Sequence, residues 1–369
     1  MAAEPKYQQV VDWVKENIED GKFRPGDRLM SEAELSEKFS LSRQTIRHAT
    51  GELAAMGYVT RVRGSGTYIG GMKKSVREER YMSIAVVSTF YESYIFPPTL
   101  KGIERVLSKN GYSMQVSFTD NKVHREEAIL RNLLEKNNID GLIVEPAKSA
   151  LPNPNIHYYQ ELKARDIPII CFNAQYPDLD APCVRLDDKK IAEQAAGLLI
   201  EAGHTSIAGI FKPDDGQGRF RYEGFLNALV GNGILLDEKK VIWIDTTDYR
   251  DMSTVEDHLF ARIGDATGVV CYNDEVAYQL IELALKRGIR VPEDLSVVGI
   301  DDSYLAGVSR VPFTSFPHPK DLLGSKVAEN LLAMIDHPEY DGNYLFGSEP
   351  VIRGSVKSFF EEKGEKKHA

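Results

Sequence analysis

Apolar positions along this chain follow one rhythm up to about residue 70 and another from Ser83 onward. In the first stretch Val10, Trp13, Val14 and Ile18 recur at helical spacing, and Gly21 follows as a stop. After the turn Arg24-Pro25-Gly26-Asp27, Ser31 and Glu34 spell a capping box ahead of Leu35 and Phe39, so a second helix begins near Ser31. Ser42 is placed to cap a third, in which Ile46, Ala49, Leu53 and Met56 recur in steps of three and four until Gly57 closes it. That stripe faces the core and leaves Arg43, Gln44 and Arg47 projecting from the other side. Two β-prone runs, 58–62 and 67–69, flank Arg63-Gly64-Ser65-Gly66 and predict a hairpin with a basic, glycine-rich tip. Residues 1–70 therefore read as a helix, a helix-turn-helix and a wing.

Residues 71–81 are rich in basic residues and poor in apolar ones, the composition of a linker. Beyond them, short apolar runs alternate with amphipathic helices: 84–87, 114–116, 141–144, 167–170, 207–210, 241–244, 268–270 and 295–298. Near-continuous apolar strands with helices between them predict parallel sheets covered on both faces. The break at 182–188, after which a similar series restarts, predicts two sheets in two lobes over residues 82–369. The expected fold class is α/β: an N-terminal winged helix-turn-helix plus a C-terminal two-lobed domain.

Composition bounds the rest. An apolar share of 42% with 27% charged residues in 369 positions suits a multidomain globular protein. No run of about 18 apolar residues appears, and Met-Ala-Ala-Glu-Pro-Lys lacks a basic region followed by an apolar stretch, so a cytoplasmic protein with no membrane partner is expected. The odd set Cys171, Cys183 and Cys271, among apolar neighbours, predicts reduced buried thiols rather than disulfides or a metal site. The net charge of −10 argues against a polyanionic partner until its distribution is read. Residues 1–75 carry 12 basic against 10 acidic side chains, and the remainder 33 against 45. An acidic rear and a slightly basic front steer phosphate toward the front.

The helix carrying Arg43, Gln44 and Arg47 on its outer face has the reach to enter a major groove, where arginine pairs with guanine and glutamine with adenine. Lys6, Ser31 and Thr45, at or near helix starts, are candidates to grip phosphate oxygens, and Glu32 belongs to the same Leu-Met-Ser-Glu run. At the wing, Gly64, Ser65, Gly66 and Thr67 let backbone approach the sugar-phosphate edge, with Arg63 supplying charge. Each element alone is an ordinary capped helix or hairpin; their order and spacing point to operator DNA.

Open α/β sheets place ligands at the carboxyl ends of their strands. Polar and aromatic residues gather at those ends here: Tyr91, Glu92 and Phe96 after the first strand, Glu145 and Lys148 after the third, and Asn173 after the fourth. The second half adds Asp215, Gln217 and Arg221, then Asn273 and Asp274, then Asp301, and finally His318. A sugar needs such a lining, because each hydroxyl both donates and accepts while aromatic rings cover its C–H faces. Asp and Asn also begin helices after strands, so any one of these is equally a cap. An enzyme domain using pyridoxal phosphate would need a Schiff-base lysine with phosphate-binding partners, a set that cannot be placed here; no catalytic residue, metal or cofactor is expected.

The strings L-M-S-E-A-E-L-S, L-S-R-Q-T-I-R-H-A-T-G-E-L and R-V-R-G-S-G-T-Y resemble the gluconate-repressor-type (GntR) winged helix, with Met30 where that family usually has proline and a helix-weakening Gly51. G-L-I-V-E-P, C-Y-N-D-E-V-A, R-G-I-R-V-P-E-D-L-S-V-V-G-I-D-D-S and E-P-V-I-R-G-S-V resemble the lactose and galactose repressor (LacI/GalR) family, whose sensor is related to periplasmic sugar-binding proteins. That resemblance implies Arg221, Asn273 and Asp301 as effector contacts. The pairing of the two parts resembles an arabinose-repressor family of Gram-positive bacteria. It implies a homodimer released from operator DNA by L-arabinose, with Lys6, Arg43, Arg47 and Arg63 on the DNA. Arginine at 63 replaces the glutamine more usual there. Another pentose, a hexose or a sugar phosphate remains an alternative inducer, since Lys148 and Arg221 suit a phosphate as well as a hydroxyl.

Overall fold

The computed structural model describes residues 7–24, 26–55, 58–62, 66–69 and 80–360. It divides into two compact units, Met1–Glu79 and Arg80–Ala369. In the first, α1 (Gln8–Glu19), α2 (Glu32–Phe39) and α3 (Arg43–Ala55) precede a hairpin of β1 (Val59–Val62) and β2 (Gly66–Ile69). Val10, Val14, Leu35, Ile46, Ala49 and Leu53 are fully buried together, so the apolar stripes of the three helices meet as their spacing requires. The Ser31–Glu34 capping box forms in full, and Ser42 caps α3 through the Thr45 amide at 3.2 Å. One pairing was not expected: Leu29 donates to the Thr67 carbonyl and Ile69 to that of Asp27, which ties the turn before α2 to the wing. The expected helix end at Met56 and Gly57, the wing tip 63–65 and linker residues 71–79 lie outside the described residues. Arg80 and Tyr81, expected as linker, already bond into the second unit through Asp336 and Asp140.

The second unit opens with β3 (Ser83–Ser88), α4 (Phe96–Lys109), β4 (Ser113–Phe118), α5 (Val123–Lys136), β5 (Gly141–Val144), α6 (Ile156–Ala164), β6 (Ile169–Phe172) and β7 (Cys183–Leu186). It continues through α7 (Asp188–Glu201), β8 (Ile207–Phe211), α8 (Gly216–Gly231), β9 (Val241–Trp243), α9 (Thr246–Arg250), α10 (Glu256–Ile263), β10 (Gly268–Cys271), α11 (Asp274–Lys286) and β11 (Ser296–Val298). Last come α12 (Tyr304–Val308), α13 (Lys320–Asp336) and β12 (Tyr344–Phe346). Among the described residues the strands form two parallel sheets, ordered β12-β7-β6-β5-β3-β4 and β11-β10-β8-β9. Each of the eight expected apolar runs overlaps one of these strands. The run expected at 167–170 is shifted to Ile169–Phe172, because Pro168 has no N–H to donate and only its carbonyl joins the ladder, accepting from Leu142 at 2.9 Å.

The segment read as a break holds β7, the last strand the first sheet receives before the chain leaves it. Leu186 already packs with α7 in the core of the second lobe, whereas α13 returns to bury Leu323, Val327 and Leu331 under the first sheet. The chain therefore crosses between lobes near 187, near 318 and after Phe346. These crossings are bonded to one another: Asp187 N donates to Phe346 O at 2.8 Å, and Ser348 Oγ to Pro317 O at 2.8 Å. In each lobe a helix pair packs at backbone contact through a glycine. A Cβ on Gly324 would lie 2.0 Å from the Thr99 carbonyl of α4, and one on Gly224 1.9 Å from the Lys189 carbonyl of α7. Cys171, Cys183 and Cys271 are free and buried, and among the described residues no helix is long and apolar enough to cross a membrane.

Candidate functional site

On α3, Arg43 and Gln44 are exposed near the helix start while Ile46 and Ala49 are buried behind them. Arg47 is exposed as well, and its guanidinium reaches the Glu32 carboxylate at 3.1 Å. Glu32 thus orients a cation of the outer face. Ser31 Oγ accepts from the Glu34 amide at 3.3 Å, which leaves its O–H to donate outward, and Thr45 Oγ1 meets Ser42 Oγ at 2.8 Å. Gly66 has a φ of +133°, a left-handed value that suits glycine, and its α-carbon faces the Arg28 guanidinium, a cation the sequence reading passed over. Thr67 holds the wing through its carbonyl. Lys6, Arg63, Gly64 and Ser65 lie outside the described residues.

Between the two sheets of the second unit lies a cavity of about 770 Å³. Its wall includes Glu92, Phe96, Glu145, Asn173, Asp215, Gln217, Arg221, Asn273, Asp301 and His318, all expected from the strand ends. At its centre is a buried charge network. Arg221 Nε donates to Asp188 Oδ1 at 2.8 Å, its guanidinium lies 3.6 Å from Asp301 Oδ1, and its plane sits over the Tyr272 ring at 5.0 Å. Burial pushes Asp188 up to about 6 although Arg221 pulls it back, and burial raises Asp301 in the same way. Asp301 Oδ2 also accepts from Tyr94 at 2.8 Å. Lys212, buried, pairs with Asp215 at 3.0 Å, and Tyr272 donates to the same carboxylate at 2.8 Å. Glu145 accepts from Asn173 at 2.8 Å and from the Thr89 amide at 3.1 Å, yet burial still raises it. His318 is held neutral: burial first, then the neighbouring Lys320 and Arg221, push it down to about 3.

Wall atoms that lack a hydrogen-bond partner include Asn173 Oδ1, Gln217 Oε1 and His318 Nδ1. An unpaired buried polar group costs about 1–3 kcal/mol, so a wall that holds several suits a ligand whose hydroxyl or amine groups donate to them.

Residues 6–69 match the model of bacterial regulatory proteins of the gntR family, and residues 165–356 that of the periplasmic binding protein-like domain. An arabinose metabolism transcriptional repressor of Halalkalibacterium halodurans is 37% identical over 98% of this chain and 99% of its own. One from Geobacillus stearothermophilus is 34% identical over 96% and 98%. This chain belongs to the family of these repressors. It is a transcriptional regulator and not an enzyme. Solved structures with the repressor's fold include a transcriptional regulator CelR–cellobiose complex (TM-score 0.66, 24% identity, 85% of this chain and 90% of that one). The transcription regulator CcpA of Lactococcus lactis also matches (TM-score 0.67, 24% identity, 74% and 99%).

Three residues expected at the effector do not line the repressor's cavity. Tyr91 is exposed and tilted against Phe118. Asp274 is fully buried behind the wall, where it accepts from the Ser303 amide and the Ser315 hydroxyl. Burial pushes it up to about 7, and its work is to hold the Ser303 turn that starts α12. Lys148 is turned to Asp214 of the other lobe. In exchange the wall contains Asp188, Lys212, Thr246, Tyr249 and Gln279, none of them expected. The signal for Tyr249 was present in the polar and aromatic run Asp245-Thr246-Thr247-Asp248-Tyr249 after β9, the same pattern that marked the other strand ends.

Proposed function

We propose that this repressor acts as a homodimer on operator DNA in the cytoplasm and lets go when L-arabinose fills the cavity of its second unit. The observation that carries the reading is the cavity wall. Glu92, Glu145, Asp188, Asp215, Glu275 and Asp301 outnumber Lys212, Arg221 and Arg250, and unpaired polar atoms stand among the rings of Phe96, Tyr249 and Tyr272. A surplus of carboxylates repels a phosphate, which favours a neutral sugar over the sugar-phosphate alternative. L-arabinose is chosen among neutral sugars because relatives matched over nearly the whole chain are named for arabinose metabolism.

On this reading Arg43, Gln44, Arg47 and Arg63 face the DNA, with Lys6, Ser31, Thr45 and wing residues 64–67 against phosphate and sugar. Glu32 acts through Arg47. Lobe closure bends the three bonded crossings, and in a symmetric pair that motion alters the spacing of the reading helices. Linkage makes the effect reciprocal, a coupling usually worth about 1–3 kcal/mol. Titrating a labelled operator at fixed salt, with and without L-arabinose, tests it. Affinity is expected to fall by about tenfold or more, and an unchanged affinity overturns the reading. Calorimetry is expected to show heat with L-arabinose and none with its 5-phosphate.

A further inference from the structure

Lys148 follows β5 in one lobe, and Asp214 follows β8 in the other. The Lys148 ammonium is ion-paired with the Asp214 carboxylate. The same carboxylate oxygen accepts from Thr246 Oγ1 at 2.9 Å. Thr246 Oγ1 accepts from Asn121 Nδ2 at 3.2 Å, and Asn121 Oδ1 accepts from the Lys148 backbone amide at 2.7 Å. These four residues close a ring, two members on each lobe, that crosses the cleft twice.

The ring is held from both sides. On the first lobe Asn121 and Lys148 both take left-handed backbone conformations, φ of +54° and +53°, which a lysine seldom adopts and which persist only where neighbours enforce them. On the second lobe Lys212 stands 3.4 Å from the other Asp214 oxygen and fixes the carboxylate in place. Two more contacts cross beside it: Gly216 N donates to Ser149 Oγ at 2.9 Å, and Arg219 to the Ala150 carbonyl at 3.3 Å. Asn121 and Thr246 also line the cavity, so the ring forms part of its rim. Every partner is the chain's own group, so the ring needs no effector to close.

We propose that this ring is a latch between the lobes at the mouth of the effector cavity, with Lys148 and Asp214 as positioning residues that set how much of the population is closed before a sugar arrives. The proposal rests on the effector reading of the cavity, and it makes apparent sugar affinity a product of wall contacts and latch strength.

Spin labels at His124→Cys and Thr247→Cys, both exposed and on opposite lobes, report the opening in the full-length chain; the three native cysteines are buried and escape labelling. Without sugar, Lys148→Met is expected to shift the distance distribution to longer values. Thr246→Val, which removes the other crossing between Asn121 and Thr246, is expected to do the same, and the double variant to shift it further than either single. Asp214 keeps Lys212 as its cation in Lys148→Met, so folding survives. Distributions that match the parent overturn the latch. Calorimetry on the unlabelled chain adds a second readout: Lys148→Met is expected to weaken every sugar the parent binds by one common factor of about tenfold. A loss confined to one sugar overturns it, since that marks direct contact. If the parent gives no heat with L-arabinose, the inducer assignment fails while the label distances still decide the latch.

Discussion

The two units of this repressor present the same side-chain types under opposite conditions. On α3, Arg43 and Gln44 stand in water, and Arg47, largely exposed, leans on the partly exposed Glu32. In the effector cavity Arg221 is buried against Asp188 and Asp301, and Lys212 against Asp214 and Asp215. An exposed cation is stabilised by solvent and can be exchanged for phosphate or base at little structural cost. A buried one exists only because its counter-charges are fixed around it. The outer face of α3 is therefore separable from the fold, whereas the cavity wall is part of it.

The comparison breaks most visibly at Arg221. Arg221→Ala leaves Asp188 and Asp301 buried without their shared cation, and a loss of about 3–5 kcal/mol in stability is expected together with loss of sugar binding. Urea denaturation and calorimetry check both. A loss under about 1 kcal/mol would show that the wall is not built around this pair.

Next in size is an effect of pH. His318 is pushed down to about 3 in the folded chain from an ordinary 6.5. The unfolded chain then binds the proton more readily, and acidification from about 6.5 toward 3 favours unfolding. Each pH unit inside that window is worth up to about 1.4 kcal/mol, so about 2–3 kcal/mol is at stake between pH 6.5 and 4.5. Asp188 and Asp274, pushed up to about 6 and about 7, take protons first in the folded chain and offset part of the loss. The measurement is therefore the difference between the parent and His318→Gln, which is expected to lose less stability over the same interval. Equal slopes would count against a neutral, desolvated imidazole.

Arg43→Ala tests the other side. Operator affinity is expected to drop by about 1–3 kcal/mol, as for one base-reading arginine, while the unfolding free energy from urea denaturation changes by no more than about 0.5 kcal/mol. A stability loss comparable to that at Arg221 would erase the distinction between the two surfaces.

What could be read in the sequence divides along the same line. The first unit follows from local rules: spacing, a capping box at Ser31, a serine cap at Ser42, and glycine at the wing. In the second unit, apolar runs marked most strands because both faces of a parallel sheet are covered. Strand β7 escaped because Pro182 and Arg185 interrupt its pattern, and β12 because three half-exposed residues carry no pattern and owe their place to pairing with β7. Arg221, Asn273 and Asp301 came from motif resemblance, and the structure sets them on one wall. Asp188 was invisible for a physical reason: Asp187 beside it is the helix cap, and a second aspartate at a helix start reads as more of the same until Arg221 arrives from 33 residues away. The turning of Lys148 to Asp214 depends on where one lobe sits against the other, which no local pattern encodes.

The smallest effect belongs to the exposed pair that most resembles the buried one. Glu32→Gln removes the carboxylate that Arg47 meets at 3.1 Å, with side-chain exposures of 68% for Arg47 and 36% for Glu32. Solvent screens such a pair, and stability is expected to fall only slightly, and only at low salt. The change should fade as ionic strength rises toward about 1 M, where the screening length shrinks to about 3 Å. Denaturation of parent and variant at both salt levels measures it. A cost that persists at high salt would place Glu32 and Arg47 with the preorganised groups of the cavity, and the reading helix would then carry a built-in constraint of its own.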